Sequence, residues 1–501
     1  MRIIHFLKEL KLTLIFALIF VYSGSFFAQH RGDNLSFQGT TSTNLLGVKA
    51  LAEGGAFTAQ TGDLSSLFYN PAGLSDIEKI QINVAGDYNT TLWREHQEWR
   101  PDRLFVTLPF YLSGLAPLDP KYDGQLDTAR FRDPNYVVKS PKLGLDPYSK
   151  EAADWNKNQN KFALSYFAAA LPFTLFDHKF GAAVSFNRQN ISDYDRNDTY
   201  LDPYIGYFGY GAIPLVNGQD TLVFSWSKFY RQRVGYLYNI PLGIGCEIIQ
   251  NLKFGVGANI SWGSSTDYQA LSRIGNFTLI DVQKFKFSHV YYDVETNGES
   301  KYNSMSFNLG LVYSFDRVNA AVRVELPYTL TRKWNYTTVT TDSSSSISRN
   351  DAGTDKLKFP AIITFGVSFN PIDKVIISFD YEYAPLSKTE FSLSRLDSTF
   401  YNLADRNSYR FGIEYKPVRW LSLLAGYQNV PELFIPDGAA NKERGPAWDS
   451  YSFGLSVSVL YGRIDVAYEW KQLKFYDSYY SNTNYQMEIS NNISLGYSYS
   501  F

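Results

Sequence analysis

Apolar and polar residues alternate with a period of two through most of this chain, and its last nine residues show the pattern most plainly. Ile493, Leu495, Tyr497, Tyr499 and Phe501 fall on one face, with Ser494, Gly496, Ser498 and Ser500 on the other. Side chains of a strand point to opposite faces in turn, so this is a strand with one greasy side and one small polar side. Similar alternation runs through Ile80–Val84, Phe180–Phe186, Phe254–Trp262, Phe307–Tyr313, Ile363–Phe369 and Tyr451–Val459. A soluble sandwich would turn the apolar face to a core. A membrane barrel turns it to lipid and keeps a polar lumen.

The connections settle which. Short ones fall near 172–177, 248–251, 315–317, 370–373, 417–419 and 461–462. Long polar ones fall near 91–160, 189–230, 264–302, 332–358, 387–406, 430–449 and 475–488. Six short and seven long connections join fourteen strands, placed near 79–90, 161–171, 179–188, 231–246, 252–263, 303–314, 318–330, 359–369, 374–386, 407–416, 420–429, 450–460, 463–474 and 489–501. An even count, with turns at one end and long loops at the other, is the layout of an outer-membrane barrel. The predicted fold is therefore all-β: a 14-stranded antiparallel outer-membrane barrel over residues 79–501, with both ends of the wall on the periplasmic side. Leu104–Leu112 also reads as strand-like; it is assigned to the first long loop because a further strand would break the parity, the alternative being a hydrophobic lip.

Charged residues on these segments must face inward. Arg323, Glu325, Asp380, Glu382, Glu414, Asp465 and Glu469 sit opposite apolar neighbours, and a charge facing hydrocarbon costs roughly 2–4 kcal/mol at the midplane. A bore this wide needs a filler or leaks water. Residues 29–78 hold Gly47, Gly54, Gly55 and Gly62, little alternation and a helix-like stretch at Leu45–Leu51, and are the predicted plug, a small and partly helical hatch. Ahead of it, Arg2, Lys8 and Lys11, the apolar run Leu12–Tyr22 and the small residues Ser23, Gly24, Ser25 and Ala28 predict a signal peptide over 1–28, cleaved after Ser25 or Ala28. Its apolar core is shorter than the ~20 residues of a spanning helix. Export and a barrel together place the protein in the outer membrane of a Gram-negative-type bacterium.

Composition narrows the partners. Lys plus Arg is 47 and Asp plus Glu is 49, which gives no basic excess for nucleic acid. Aromatics make up 17% of the chain, yet mean hydropathy is slightly negative. A helical membrane protein is not that polar; a barrel is, because only alternate residues see lipid. Cys246 is the one cysteine, makes no internal disulfide, and reads as a small wall residue.

Within the plug lies Gly62-Asp63-Leu64-Ser65-Ser66-Leu67-Phe68-Tyr69-Asn70-Pro71-Ala72-Gly73-Leu74. Locally, Asn70 suits a helix N-cap and Pro71 the first helical position. In context the stretch resembles the signature of the long-chain fatty-acid transporter family of outer membranes, the FadL/TodX group. Leu423–Gln428, Pro436-Asp437-Gly438, Asp449–Gly454 and Leu171-Pro172-Phe173 are similar to that family as well. The resemblance implies an N-terminal hatch inside a fourteen-stranded barrel and passive uptake of hydrophobic compounds, long-chain fatty acids first among them. Asn70, Pro71, Ala72 and Gly73 would then belong to the hatch and its gating, with lateral exit through the wall. Trp93, Trp99, Phe105, Phe110 and Tyr111 are the candidate ligand-capture surface in the first loop; interface anchoring or loop packing is the competing reading.

Other chemistry finds little footing. His30, His96, His178 and His289 fall in the plug, in loops or near turns, and no G-x-S-x-G element is present, so no catalytic residues are expected. Asp193-x-Asp195-x-Asn197 opens like a calcium loop, but Asp198 stands where glycine is required and Tyr204 where the closing glutamate belongs. Neither a metal nor a cofactor is expected, and Ser343–Ser346 reads as a flexible loop tip. Expected partners are outer-membrane lipid and lipopolysaccharide, a hydrophobic small molecule, and the barrel assembly machinery, which would meet the aromatic end at Tyr499 and Phe501; the protein is expected to be a monomer. The alternatives are a barrel of similar fold that serves a secretion system as a docking accessory, and a general porin.

Overall fold

The computed structural model describes residues 37–40, 45–97, 144–202, 221–280, 284–394, 403–436, 444–460, 462–479 and 482–501. Strand segments dominate them: β1 (Gln81–Gln97), β2 (Trp155–Leu175), β3 (His178–Asp202), β4 (Thr221–Ile249), β5 (Leu252–Ile280), β6 (Lys284–Phe315), β7 (Val318–Glu325), β8 (Tyr328–Asp342), β9 (Ser346–Phe359), β10 (Ile362–Ile372), β11 (Val375–Ala384), β12 (Glu390–Ser392), β13 (Arg406–Val418), β14 (Leu421–Pro431), β15 (Ala447–Val459), β16 (Gly462–Tyr479) and β17 (Asn482–Ser500). Pro327 separates β7 from β8 and Pro360 separates β9 from β10, yet the register runs on across both bends, with Glu325 opposite Ile362 and Tyr328 opposite Phe359. Proline donates no ladder hydrogen bond, which suits these bends. Each pair is therefore one stave of the wall, and β12 is a short patch pairing with β9 alongside β11. The segments build a closed antiparallel barrel of 14 strands, completed where β1 pairs with both β17 and β2.

All six expected short connections are two-residue hairpins, since Leu175 faces His178, Ile249 faces Leu252, Phe315 faces Val318, Ile372 faces Val375, Val418 faces Leu421 and Val459 faces Gly462. In the first of them Phe176 and Asp177 both have positive φ, 50° and 59°, the backbone that matches the twist of paired strands. The long connections differ from expectation. Much of 189–230, 264–302 and 332–358 is ladder rather than loop, so β4 and β5 reach 29 residues and β6 reaches 32. Outside the bilayer the outward face turns polar, as at Asn297, Glu299 and Lys301 of β6, so the apolar half of the alternation ends while the hydrogen bonding continues. Ser343–Ser346 likewise belongs to a tight hairpin turn, in which Asp342 Oδ1 accepts from the backbone N–H of Ser344 and of Ser345, each at 2.8 Å.

The outward face is an apolar belt that includes Phe167, Phe307, Phe365, Phe411, Phe453 and Leu495, all exposed. Such a surface is solvated by acyl chains. Inward, Asp380, Glu414, Asp465 and Glu469 are buried. Cys246 is half-buried on β4, between Phe180 and Phe254. The expected signal peptide, Trp99, Leu104–Leu112, Phe105, Phe110 and Tyr111 lie outside the described residues.

Candidate functional site

Residues 45–78 run inside the ring, in contact with the wall on all sides. A helix at Val48–Ala52, a turn at Ser66–Tyr69 and a 3-10 turn at Pro71–Asp76 give the segment its shape. Val48, Leu51, Leu64, Leu67, Leu74 and Ile77 pack on small wall residues, among them Ala85, Ala168, Ala183 and Ala467. Glycines on the inner face let the backbones meet. A methyl group at Gly255 would stand 2.2 Å from the Ala72 amide nitrogen, and one at Gly426 would stand 2.1 Å from that of Gly54.

Asn70 fixes the Asn-Pro-Ala-Gly stretch to both its own segment and the wall. Its Oδ1 accepts from the Ala72 N–H at 3.1 Å, with Pro71 at the first position of the turn. Its Nδ2 donates to Thr58 O at 3.0 Å and to Leu311 O on β6 at 3.2 Å. Asn70, Ala72 and Leu74 have no exposed surface, so the motif is packed against the wall.

Charges complete the attachment. Arg463 on β16 donates to Asp63 at 2.8 Å, and Lys49 meets Glu414 on β13 at 3.0 Å and Glu53 at 3.9 Å. Burial opposes the Lys49 ammonium, but Glu414 and Glu53 outweigh it and hold its pKa above the ordinary lysine range. Burial likewise disfavours the Asp63 carboxylate, yet Arg463, Lys49 and the Ser65 amide pull it well below the usual aspartate range. Glu53 is different. Burial, reinforced by Glu414, overcomes Lys49 and Gln60 and pushes its carboxyl up to about 7.

On the long-loop side of this segment is a cavity of about 420 Å³. Leu45, Leu46, Leu67 and Phe68 give it an apolar floor. Its walls depart from the mostly apolar lining typical of small-molecule pockets. Asn187, Asn239, Asn259 and Asn308 form a row of amides across β3, β4, β5 and β6, interspersed with charged groups.

The cavity also borders a seam in the wall. Ladder pairs between β2 and β3 run from Leu175–His178 to Tyr166–Asn187 and end there. Beyond that point, among the described residues, β2 pairs with β1 and β3 with β4. Side chains span the interval: Lys161 Nζ donates to Ser192 Oγ at 2.9 Å, and Ser192 Oγ donates to Gln159 Oε1 at 3.1 Å. Tyr194 packs against Trp93 at 5.7 Å and Trp155 at 5.4 Å between ring centroids.

Trp93 is thus on β1 rather than in the first loop, and it is buried in this aromatic cluster. Asp193 and Asp195 are β3 residues that meet Arg231 at 2.7 and 3.6 Å, in place of the loop that their spacing suggests. At the chain end, the Phe501 N–H bonds Ile80 O at 3.2 Å and its half-exposed ring packs on Tyr499. His96 stands near Asp154, and His178 Nδ1 lies 2.9 Å from Glu247 O in the turns. The seam residues Lys161, Arg188, Ser192 and Tyr194 escaped sequence reasoning because they carry no apolar alternation; the one available signal was the density of Arg, Asp and Tyr between Arg188 and Arg196.

A family model described as BamG matches residues 226–423. No protein among the curated ones matches. Among solved structures, the P. putida toluene transporter TodX is similar with 13% identity and a TM-score of 0.55, over 91% of this chain and 99% of that one. A Pseudomonas aeruginosa FadL homologue is similar with 13% identity and a TM-score of 0.54, over 91% and 98%. A TodX mutant, a monoaromatic hydrocarbon channel, is similar with 14% identity and a TM-score of 0.55, over 91% and 99%. The chain therefore has the fold of the FadL/TodX hydrocarbon channels.

Proposed function

We propose that this barrel resides in the outer membrane of a Gram-negative-type bacterium and passes hydrophobic and amphiphilic compounds inward by facilitated diffusion. The observation that carries the reading is that residues 45–78 both stopper the barrel and form the floor of its cavity at Leu45, Leu46, Leu67 and Phe68. A molecule in the cavity touches the segment that must shift for it to proceed. The likeness to the toluene transporter and the FadL homologue supports the same direction. Long-chain fatty acids fall within the proposed class. Asn70, Pro71, Ala72 and Gly73 anchor the gate in this reading, and the β2/β3 seam gives a lateral exit beside the cavity. Trp93 takes part through the aromatic cluster at the seam. The test is uptake into vesicles containing the full chain: entry of a long-chain fatty acid or of toluene should exceed that into empty vesicles, and equal rates would end the proposal.

The BamG match favours a second reading, in which the barrel is a docking subunit associated with the outer-membrane barrel assembly machinery. Gentle extraction followed by affinity purification separates the two. Stoichiometric recovery of assembly components, with no uptake defect in a deletion strain, would select docking.

A further inference from the structure

The cavity walls are specific about the polar end of what they would hold. Among the described residues ten amide side chains line them, and six cations, among them Lys161, Arg188 and Arg323, face six carboxylates, among them Asp87, Asp193 and Glu469. Opposite charges are present in equal number, so the site has no net preference for an anion. Several of the charges are also committed to each other, as Arg231 is to Asp193 at 2.7 Å and Arg323 to Glu325 at 3.4 Å.

Hydrogen-bond accounting points the same way. Asn239 donates to Asn187 at 2.8 Å and accepts from Ser261 at 2.5 Å. In contrast, among the described residues, Asn259 Oδ1, Asn308 Oδ1, Asn492 Oδ1 and Gln428 Oε1 are acceptors without a hydrogen-bond partner, while Arg188 Nε and Arg323 Nε are donors without one. All six belong to lining residues; the atoms themselves are buried, and an amide presents its oxygen to the cavity by turning about its soft terminal torsion, which withdraws its NH2. A hydrocarbon answers none of these groups. A carboxylate only accepts, so it answers the two guanidinium donors and leaves the amide oxygens unmet. A hydroxyl both donates and accepts.

We infer that this cavity binds the head of a neutral, hydroxyl-bearing amphiphile, a glyceryl or sugar-headed lipid, in preference to a bare hydrocarbon or a fatty-acid carboxylate. The inference rests on the proposed uptake role and specifies the substrate class of the same site. The tail lies on the floor of Leu45, Leu46, Leu67 and Phe68, and the head meets the amide row.

The test compares three probes on the full chain in lipid nanodiscs by calorimetry: monolauroyl glycerol, laurate with the same tail, and toluene. Monolauroyl glycerol should bind about tenfold more tightly than laurate, the equivalent of one or two hydrogen bonds, and toluene should not displace it. In the Asn259→Leu/Asn308→Leu variant that advantage should vanish while laurate affinity stays within about twofold. Because the order of affinities is read on the unaltered protein, a variant that fails to fold does not decide the matter. Laurate or toluene binding as tightly as monolauroyl glycerol would overturn the head-group assignment and leave the uptake reading standing. Binding of none of the three, with uptake no faster than into empty vesicles, would remove both.

Discussion

Gly310 on β6 and Asn70 occupy a single space: a methyl group at Gly310 would sit 1.9 Å from Asn70 Oδ1. Gly310→Ala should therefore evict the Asn70 side chain, with loss of the cap on Ala72 and of both Nδ2 bonds. Loss of the cap and of satisfied buried polar groups costs about 2–4 kcal/mol in total. The loss should fall on attachment of residues 45–78 and spare the barrel. Hydrogen exchange should show faster exchange there and an unchanged wall; equal protection of both would refute the assignment.

Asp380 on β11 offers a second handle. Its Oδ2 accepts from the N–H of Phe57 at 3.0 Å, the N–H of Thr58 at 2.9 Å and the Thr58 hydroxyl at 2.7 Å. Asp380→Ala leaves two buried amides unpaired and should loosen the segment by about 3 kcal/mol or more, whereas Asp380→Asn keeps one acceptor and should cost less. Limited proteolysis of the folded barrel in detergent reads the difference. If both variants resist cleavage as the parent does, Asp380 does not hold this segment.

Attachment should also depend on pH through Glu53. Its carboxyl is pushed up to about 7, against an unfolded value near 4.5, because burial and Glu414 disfavour its charge more than Lys49 and Gln60 favour it. The packed state thus binds the proton more tightly than the released state does. Release should become easier as pH rises from about 4.5 to 7 and level off above that, with a total effect of a few kcal/mol. Opposing contributions come from Asp63, whose depressed pKa stabilises the packed state everywhere above the acid range. Glu53→Gln should flatten the dependence between pH 5 and 8 in a hydrogen-exchange series; an unaltered profile would assign it elsewhere.

The seam allows a test of route. With Cys246 replaced by serine, cysteines at positions 159 and 192 should be joined by a short bis-methanethiosulfonate cross-linker, because the Gln159 side chain reaches across the seam to Ser192 Oγ at 3.1 Å, farther than a direct disulfide spans. Cross-linking should reduce uptake several-fold and reduction should restore it. Undiminished uptake with the link closed would send the solute past residues 45–78 instead.

How much was legible in the sequence follows from where lipid touches the chain. The hairpin turns and the membrane half of each strand could be read because Phe307, Leu309, Leu311 and Tyr313 alternate with small or polar partners. The upper halves of β3 to β6 and of β8 could not, since outside the bilayer neither face is selected for apolar character and period two loses its contrast. Asn70 and Pro71 could be recognised as a cap from their order alone, whereas the attachment to Leu311 O joins residues 241 positions apart and leaves no local trace. The polar lining of the cavity was hidden for a related reason. Its amides come singly from separate strands, so each one looks like an ordinary lumen residue until the barrel closes.

The unequal heights of the staves have one more consequence. β6 has 32 residues and extends about 100 Å, while β13, β14 and β15 have 13, 11 and 13. About ten residues suffice to span the hydrocarbon. Among the described residues the ladder is therefore cut obliquely, high on one flank and low on the other. In the proposed uptake role, a solute arriving on the high flank meets a tall wall of ladder that the low flank lacks, so orientation within the membrane plane bears on approach.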